Sequence, residues 1–231
     1  MRMTKIQADL HIHSCYSDGE PTPREILMKA VQKKLRVISI TDHNTFLGSV
    51  EAIRLAKEKK IDILVLIGNE VRTLLGDVLL YCSAPIEIKP YPDLDELSDI
   101  ADESGCIAVP AHPFDRVRKG IGAKGLELLG KKLYAIECYN AFSSKLVNDK
   151  AHKYAEFLGK KCLANSDAHT LKAIGAFSTI MEIDLEEGFE GFRKAIISQP
   201  LEPNHHETTL LLYLDKWRWS LARRIKPREC F

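Results

Sequence analysis

The chain has 231 residues, 45% hydrophobic and 28% charged, ordinary globular values with enough apolar material for one sizeable core. A formal net charge of +1 leaves no global field for long duplex nucleic acid or a membrane surface. Residues 1–10 lack the apolar stretch of a secretory signal, and no apolar run approaches about 18 residues, so no transmembrane segment is expected. Cys15, Cys82, Cys106, Cys138, Cys162 and Cys230 show no CxxC pairing; buried free thiols, a reducing compartment and a cytoplasmic location are the expectation.

In chain order, Lys5 to His11 reads as a buried strand. Alternation sends His11 and His13 to one side, two residues apart, where the strand runs out into a loop. Imidazole is the commonest metal ligand, and Asp18 with Gly19 closes the loop back towards the pair. A helix is predicted over Pro23 to Leu35, capped by Thr22, then a strand at 37–41 ending in Asp42-His43-Asn44. A second helix covers Phe46 to Lys59, and the strand at 61–67 stops at Gly68-Asn69-Glu70. After a turn at 71–76, Asp77 to Cys82 returns as a hairpin. Prolines 85, 90 and 92 precede a helix at about 93–104, ended by Gly105, and strand 106–110 leads into His112-Pro113.

The stretch 116–130 reads as a glycine-rich loop with a short helix, placed like a lid. Leu133 to Tyr139 is strand-like and ends in Asn140; a helix at 145–158 leads to strand 161–164 and Asn165-Ser166-Asp167-Ala168-His169. A strand at 177–183 and a helix at 189–198 follow. Each time an apolar run stops, a metal-competent or acid-base residue follows. Alternating strands and helices imply parallel strands. Because the candidate ligands follow at least five strands, a closed barrel with its site at one mouth is preferred to a doubly wound sheet.

The motifs Asp9-Leu10-His11-Ile12-His13-Ser14, Thr41-Asp42-His43-Asn44, Gly68-Asn69-Glu70, Ala111-His112-Pro113 and Asn165-Ser166-Asp167-Ala168-His169 resemble, in order, the signatures of the polymerase-and-histidinol-phosphatase (PHP) superfamily, in its stand-alone phosphoesterase branch. The resemblance implies an α/β fold, a distorted seven-stranded (β/α) TIM-like barrel over 1–204 with a helical extension over 205–231. It implies a centre of two or three divalent ions, Zn, Mn or Fe with Mg possible, that hydrolyses phosphomonoesters or phosphodiesters. Carried over, His11, His13 and Asp167 hold one ion, Glu70 bridges to a second on His112, and Asp18, His43 and His169 hold a third or, as His43 and His169, act as catalytic acid-base groups. At Asp77 the chain departs from relatives that carry histidine there. An aspartate also ligates, and it shifts the preference towards Mn²⁺ or Mg²⁺.

Arg116, Arg118 and Lys119 are candidates to clamp a phosphate, against the alternative of a solvated basic loop; Asn140 is a further candidate facing the mouth. Asp42 either orients His43 or caps. His152, His205 and His206 read as surface residues. The expected substrate is a small phosphorylated molecule or a short nucleic-acid end. A metal-dependent amidohydrolase or deaminase, and a non-catalytic metal-binding module, are the alternatives. Residues 208–231 hold six Lys/Arg against Asp215 and Glu229. With their leucines and tryptophans they predict a helix packed on the barrel or on a second subunit, an interfacial membrane helix being less favoured.

Overall fold

The computed structural model describes residues 3–206, 208–225 and 230. Lys226, Arg228 and Glu229 of the tail lie outside the described residues. Nine strands are described: β1 (Thr4–Ile12), β2 (Val37–Ile40), β3 (Leu64–Arg72), β4 (Asp77–Cys82), β5 (Ile107–Pro110), β6 (Ala135–Asn140), β7 (Lys161–Asn165), β8 (Ser178–Ile183) and β9 (Leu201–Asn204). The helices are α1 (Pro23–Gln32), α2 (Leu47–Lys59), α3 (Leu94–Glu103), α4 (Gly122–Leu129), α5 (Lys145–Leu158), α6 (Phe189–Ser198) and α7 (Leu210–Ile225). Local chemistry explains the boundaries. Thr22 and Glu25 form a reciprocal capping box at α1 with Pro23 in its first turn, and Lys60 and Gly159 end α2 and α5 in the left-handed conformation.

The closed parallel barrel is corrected. Seven strands form an open, mixed sheet in the order β5-β4-β3-β2-β1-β8-β9, and β6 and β7 form a separate parallel pair. Only β1/β2 and β2/β3 are parallel in the larger sheet. The reason lies in two connections without crossover helices. The turn at Thr73–Gly76, held by the Thr73 hydroxyl donating to the Gly76 carbonyl at 2.6 Å, reverses β4 against β3. The segment from Ser166 brings β8 back antiparallel to β1. The β6/β7 pair packs across the gap, β6 beside β5 and β7 beside β1, β8 and β9, so the sheet curls round an interior without a continuous ladder. The strand β9 escaped the sequence reading because it is short and contains Pro203, a residue that sheets tolerate at an edge.

The curled interior has two layers. Its floor is apolar: Leu10, Leu66, Tyr81, Leu163 and Met181 pack against Phe192 of α6. One or two same-face steps along the strands come Glu70, Asp77, Glu137 and Asn165. Period-two alternation therefore carries a polar layer on top of an apolar one. Strand β1 needs more than alternation. Ile6, Ala8 and Leu10 face the interior, yet Ile12 packs outside with α1 and α2 residues. The register slips against β2 between Asp9 and Ile12. This bulge turns His11 and His13 inwards, where an unbroken strand would have pointed them at the helices.

The expectation of free thiols is also corrected. Cys15–Cys230, Cys82–Cys106 and Cys138–Cys162 are disulfides, and no described cysteine is free. Their separations of 215, 24 and 24 residues leave no local spacing signal. Cys82 and Cys106 lie beside the paired strands β4 and β5, and Cys138 and Cys162 on the paired β6 and β7. The thiol argument for a cytoplasmic location falls with this correction. Among the described residues, no helix is long and apolar enough to cross a membrane.

Candidate metal centre

The polar layer converges on one point. His11 Nε2 lies 3.1 Å from His13 Nε2 and 3.4 Å from both Glu70 Oε2 and Asp167 Oδ1. His13 Nε2 is 3.2 Å from Glu70 Oε2 and 3.1 Å from Asp167 Oδ1. Glu70 reaches two more rings, His43 Nδ1 at 3.1 Å and His112 Nε2 at 3.2 Å. Asp18 Oδ1 stands 3.1 Å from His169 Nε2, 3.6 Å from His13 Nδ1 and 3.9 Å from His43 Nε2. Ligand atoms on one ion at about 2.1 Å with tetrahedral angles sit roughly 3.4 Å apart, which is the spacing seen.

The donor set fits metal ions for a second reason. His13 Nδ1, Asp18 Oδ1, His43 Nδ1 and His112 Nδ1 are buried around one cavity without a hydrogen-bond partner among the described residues. A buried polar atom left so costs about 1–3 kcal/mol, and the facing pair among them, Asp18 Oδ1 and His13 Nδ1 at 3.6 Å, is intelligible where a cation lies between the two. The rings are prepared for it. Burial, the largest influence, lowers the pKa of His112 and His43 and that of His169 strongly, keeping them neutral and able to ligate. At His11 burial acts the same way, but the charges of Glu137 and Glu70 outweigh it and raise the pKa to about 9; a proton occupies the place of an ion. For Asp18 and Glu70, burial is overcome by the surrounding histidines and both carboxyls stay ionised.

Backbone conformation aims two of these groups. His112 and Asp167 have φ of 30° and 48°, a region that costs a non-glycine residue on the order of 1–3 kcal/mol. Both sit one or two steps past a strand end, where the turn swings the side chain over the mouth. Gly19 acts by crowding: a Cβ there would collide with the His13 carbonyl. Asp42 holds the first loop, accepting from Ser14 N–H at 2.7 Å, Ser14 hydroxyl at 2.6 Å and Ser17 hydroxyl at 2.5 Å. Asp9 ties the late motif to the early one, accepting from the backbones of Ser166 and Gly175 at 3.1 and 2.9 Å.

Glu137 escaped the sequence reading. It is fully buried in β6, accepts His11 Nδ1–H at 2.9 Å and the His112 backbone N–H at 2.8 Å, and takes further donors from Asn140 and Asn165 at 3.0 and 2.9 Å. Burial raises its pKa, but His11 prevails and holds it at about 2. The bond to Nδ1 fixes the His11 ring and leaves Nε2 for the centre. A lone acid inside the apolar run 133–139 was the available signal.

Asp77 lies within reach of His43 and Glu70, but both its oxygens take Arg72, at 3.0 Å each. Of the substrate candidates, Arg118 lines the cavity; Arg116 is exposed and not part of its lining. Asn140 is buried, with Arg118 Nη1 donating to its Oδ1 at 2.7 Å. The remaining wall, of about 240 Å³ of cavity, is unexpected: Lys216, Trp219, Ser220 and Arg223 of α7. Trp219 Nε1 and Arg223 Nη1 donate to the Asp18 carbonyl at 2.8 and 3.0 Å, so this helix packs on the mouth itself. His205 stacks on Tyr139, with ring centroids 3.7 Å apart, away from the centre.

Comparison with known proteins places the chain among relatives of the same fold. An uncharacterized Methanocaldococcus jannaschii protein is 32% identical over 151 residues, 59% of this chain and 83% of its own length. A crystal structure of a two-domain Bacteroides vulgatus protein containing a predicted PHP-like metal-dependent phosphoesterase matches 88% of this chain and 66% of that one, with TM-score 0.73 and 20% identity. The lesion-specific endonuclease PfuEndoQ of Pyrococcus furiosus matches 87% of this chain and 58% of its own, with TM-score 0.60 and 20% identity. A PHP-associated model matches residues 145–198. The PHP domain model matches residues 9–163, and the chain belongs to the PHP domain family.

Proposed function

We propose that the chain is a metal-dependent hydrolase of phosphate esters, acting on a small phosphorylated molecule or on the phosphorylated end of a short strand. The observation that carries this reading is the ring of buried, unpartnered histidine and carboxylate atoms around one cavity. His11, His13, Glu70, His112 and Asp167 would hold two ions, with Glu70 between them, and Asp18, His43 and His169 a third. When bound, such ions supply electrophilic grip on phosphoryl oxygens and a water made acidic enough to attack near neutral pH.

The chain's own residues do the rest. Glu137 orients His11 and, through the His112 backbone, the neighbouring ligand. His43 and His169, held neutral, serve as ligands facing Asp18 in preference to storing a proton. Arg118, with Asn140 fixing its guanidinium, offers donors to the phosphate. Asp77 restrains Arg72 and adds negative charge beside His43. Trp219 covers Asp18 and limits water on that side. Membership of the PHP domain family supports the same reading.

The test is release of inorganic phosphate from a panel of aryl phosphates, nucleotides and short 5′-phosphorylated oligonucleotides, by chelator-stripped protein before and after adding Mn²⁺ or Zn²⁺. Metal-dependent release that His11→Ala abolishes is expected. Cleavage of a generic amide instead, or no turnover with either class, overturns the proposal.

A further inference from the structure

Helix α7 carries two sets of groups towards the barrel, and they differ in what they hold. Asp215 is paired with Lys172 at 3.1 Å and Arg218 with Glu20 at 3.3 Å; Trp219 and Arg223 grip the Asp18 carbonyl, and Arg223 also takes the Asp18 carboxylate at 2.6 Å. These contacts seat the helix. Lys216 does something else. Its ammonium lies over the Phe142 ring, 4.1 Å from the centroid, pointing into the cavity, and the nearest carboxylate oxygen, Asp167 Oδ2, is 3.6 Å away. That is too far for a hydrogen bond, and no described residue accepts one from it.

Arg118 Nη2 contacts the same oxygen and, although buried, makes no well-formed hydrogen bond. The other cations of the cavity are committed or open to water: Arg72 to Asp77, Arg223 to Asp18, and Lys119 exposed. Two cationic groups from distant parts of the chain thus converge on one oxygen of a candidate ligand, Asp167, with the Lys216 ammonium making no hydrogen bond among the described residues and Arg118 Nη2 no well-formed one. An anion with oxygens on two sides is what such a pair accommodates.

We propose that Lys216 of α7, together with Arg118, forms the phosphate-holding clamp of the site, and that the Cys15–Cys230 disulfide keeps the helix seated so that the clamp is complete. The tether joins Cys230, five residues past the end of α7, to the loop between His13 and Asp18, across 215 residues of chain. It therefore fixes the helix to the same loop that Trp219 and Arg223 grip. The clamp rests on the phosphoesterase reading for its role, but its binding of phosphate does not require turnover.

The experiment is calorimetric titration of inorganic phosphate into the full-length, Mn²⁺-loaded protein, with metal content measured on each sample. Lys216→Met should bind phosphate at least tenfold more weakly with unchanged metal content, while Lys216→Arg should stay within about threefold of wild type. Cys230→Ser, which frees the end of the helix but leaves every cavity residue in place, should weaken binding by about three- to tenfold. Equal binding by Lys216→Met and wild type, no binding by wild type, or Lys216→Arg as weak as Lys216→Met would overturn the clamp. Should Lys216→Met fail to fold, unchanged binding by Cys230→Ser together with unchanged binding by Lys216→Ala would do the same. Wild-type protein that binds phosphate yet hydrolyses no ester would refute the phosphoesterase reading alone.

Discussion

Glutamine at position 137 keeps the shape of the glutamate and removes one acceptor oxygen. Oε1 serves His11 Nδ1–H and Asn165, and Oε2 serves the His112 backbone and Asn140. Whichever way the new amide turns, its NH₂ faces two donors. Neither asparagine relieves this by flipping: Asn165 Oδ1 is needed by the Leu10 backbone at 3.1 Å, and Asn140 Oδ1 by Arg118 and the Phe142 backbone at 2.7 and 3.0 Å. At about 1–3 kcal/mol for each buried donor left unpaired, Glu137→Gln should cost about 3 kcal/mol. For a domain of this size that is a fall of roughly 6–12 °C in Tm. The same change frees the His11 ring and removes a charge that makes Nε2 a better ligand, so metal affinity should drop about 10- to 100-fold. Calorimetric melting and competition against a metal-indicator dye measure the two effects. A variant that melts and binds metal as wild type does would refute the role given to Glu137.

Metal affinity should also rise with pH, because an ion entering beside His11 must displace a proton held up to pH about 9. The expected slope is about tenfold per unit between pH 7 and 9, levelling above; a flat profile contradicts it. In chelated protein the same raised pKa stabilises the fold fully below pH 6.5, the ordinary value, and that contribution is lost as pH rises through about 9, so the Tm of the metal-free form should fall across this window while that of the loaded form does not. Cys82→Ser with Cys106→Ser opens a loop of 24 residues, an entropic loss of about 3.5 kcal/mol. Thermal melting should show a drop of roughly 7–14 °C with metal content retained.

The strands and helices were legible because their apolar periodicity is local, and the ligand residues because they follow strand ends in a recognisable order. Three features were not. The inward aim of His11 and His13 depends on a register slip between β1 and β2, which exists only once two strands are paired. The disulfides join residues brought together by sheet neighbours or by the returning C-terminal helix, with no spacing to mark them. Lys216 looked like one basic residue among several on an amphipathic helix. Its meaning comes from where α7 lands, on the loop of Asp18, and from Phe142 and Arg118 waiting there. Glu70 shows a milder version: the strand that carries it runs on to Arg72, past the apolar run, because its partner β4 continues the ladder.

Elemental mass spectrometry of protein purified without chelators, beside a His112→Ala variant, tests the multinuclear centre most directly. Two or three equivalents of Mn, Fe or Zn per chain, falling in the variant, are the predicted result. One equivalent or none, unchanged by the substitution, would contradict it.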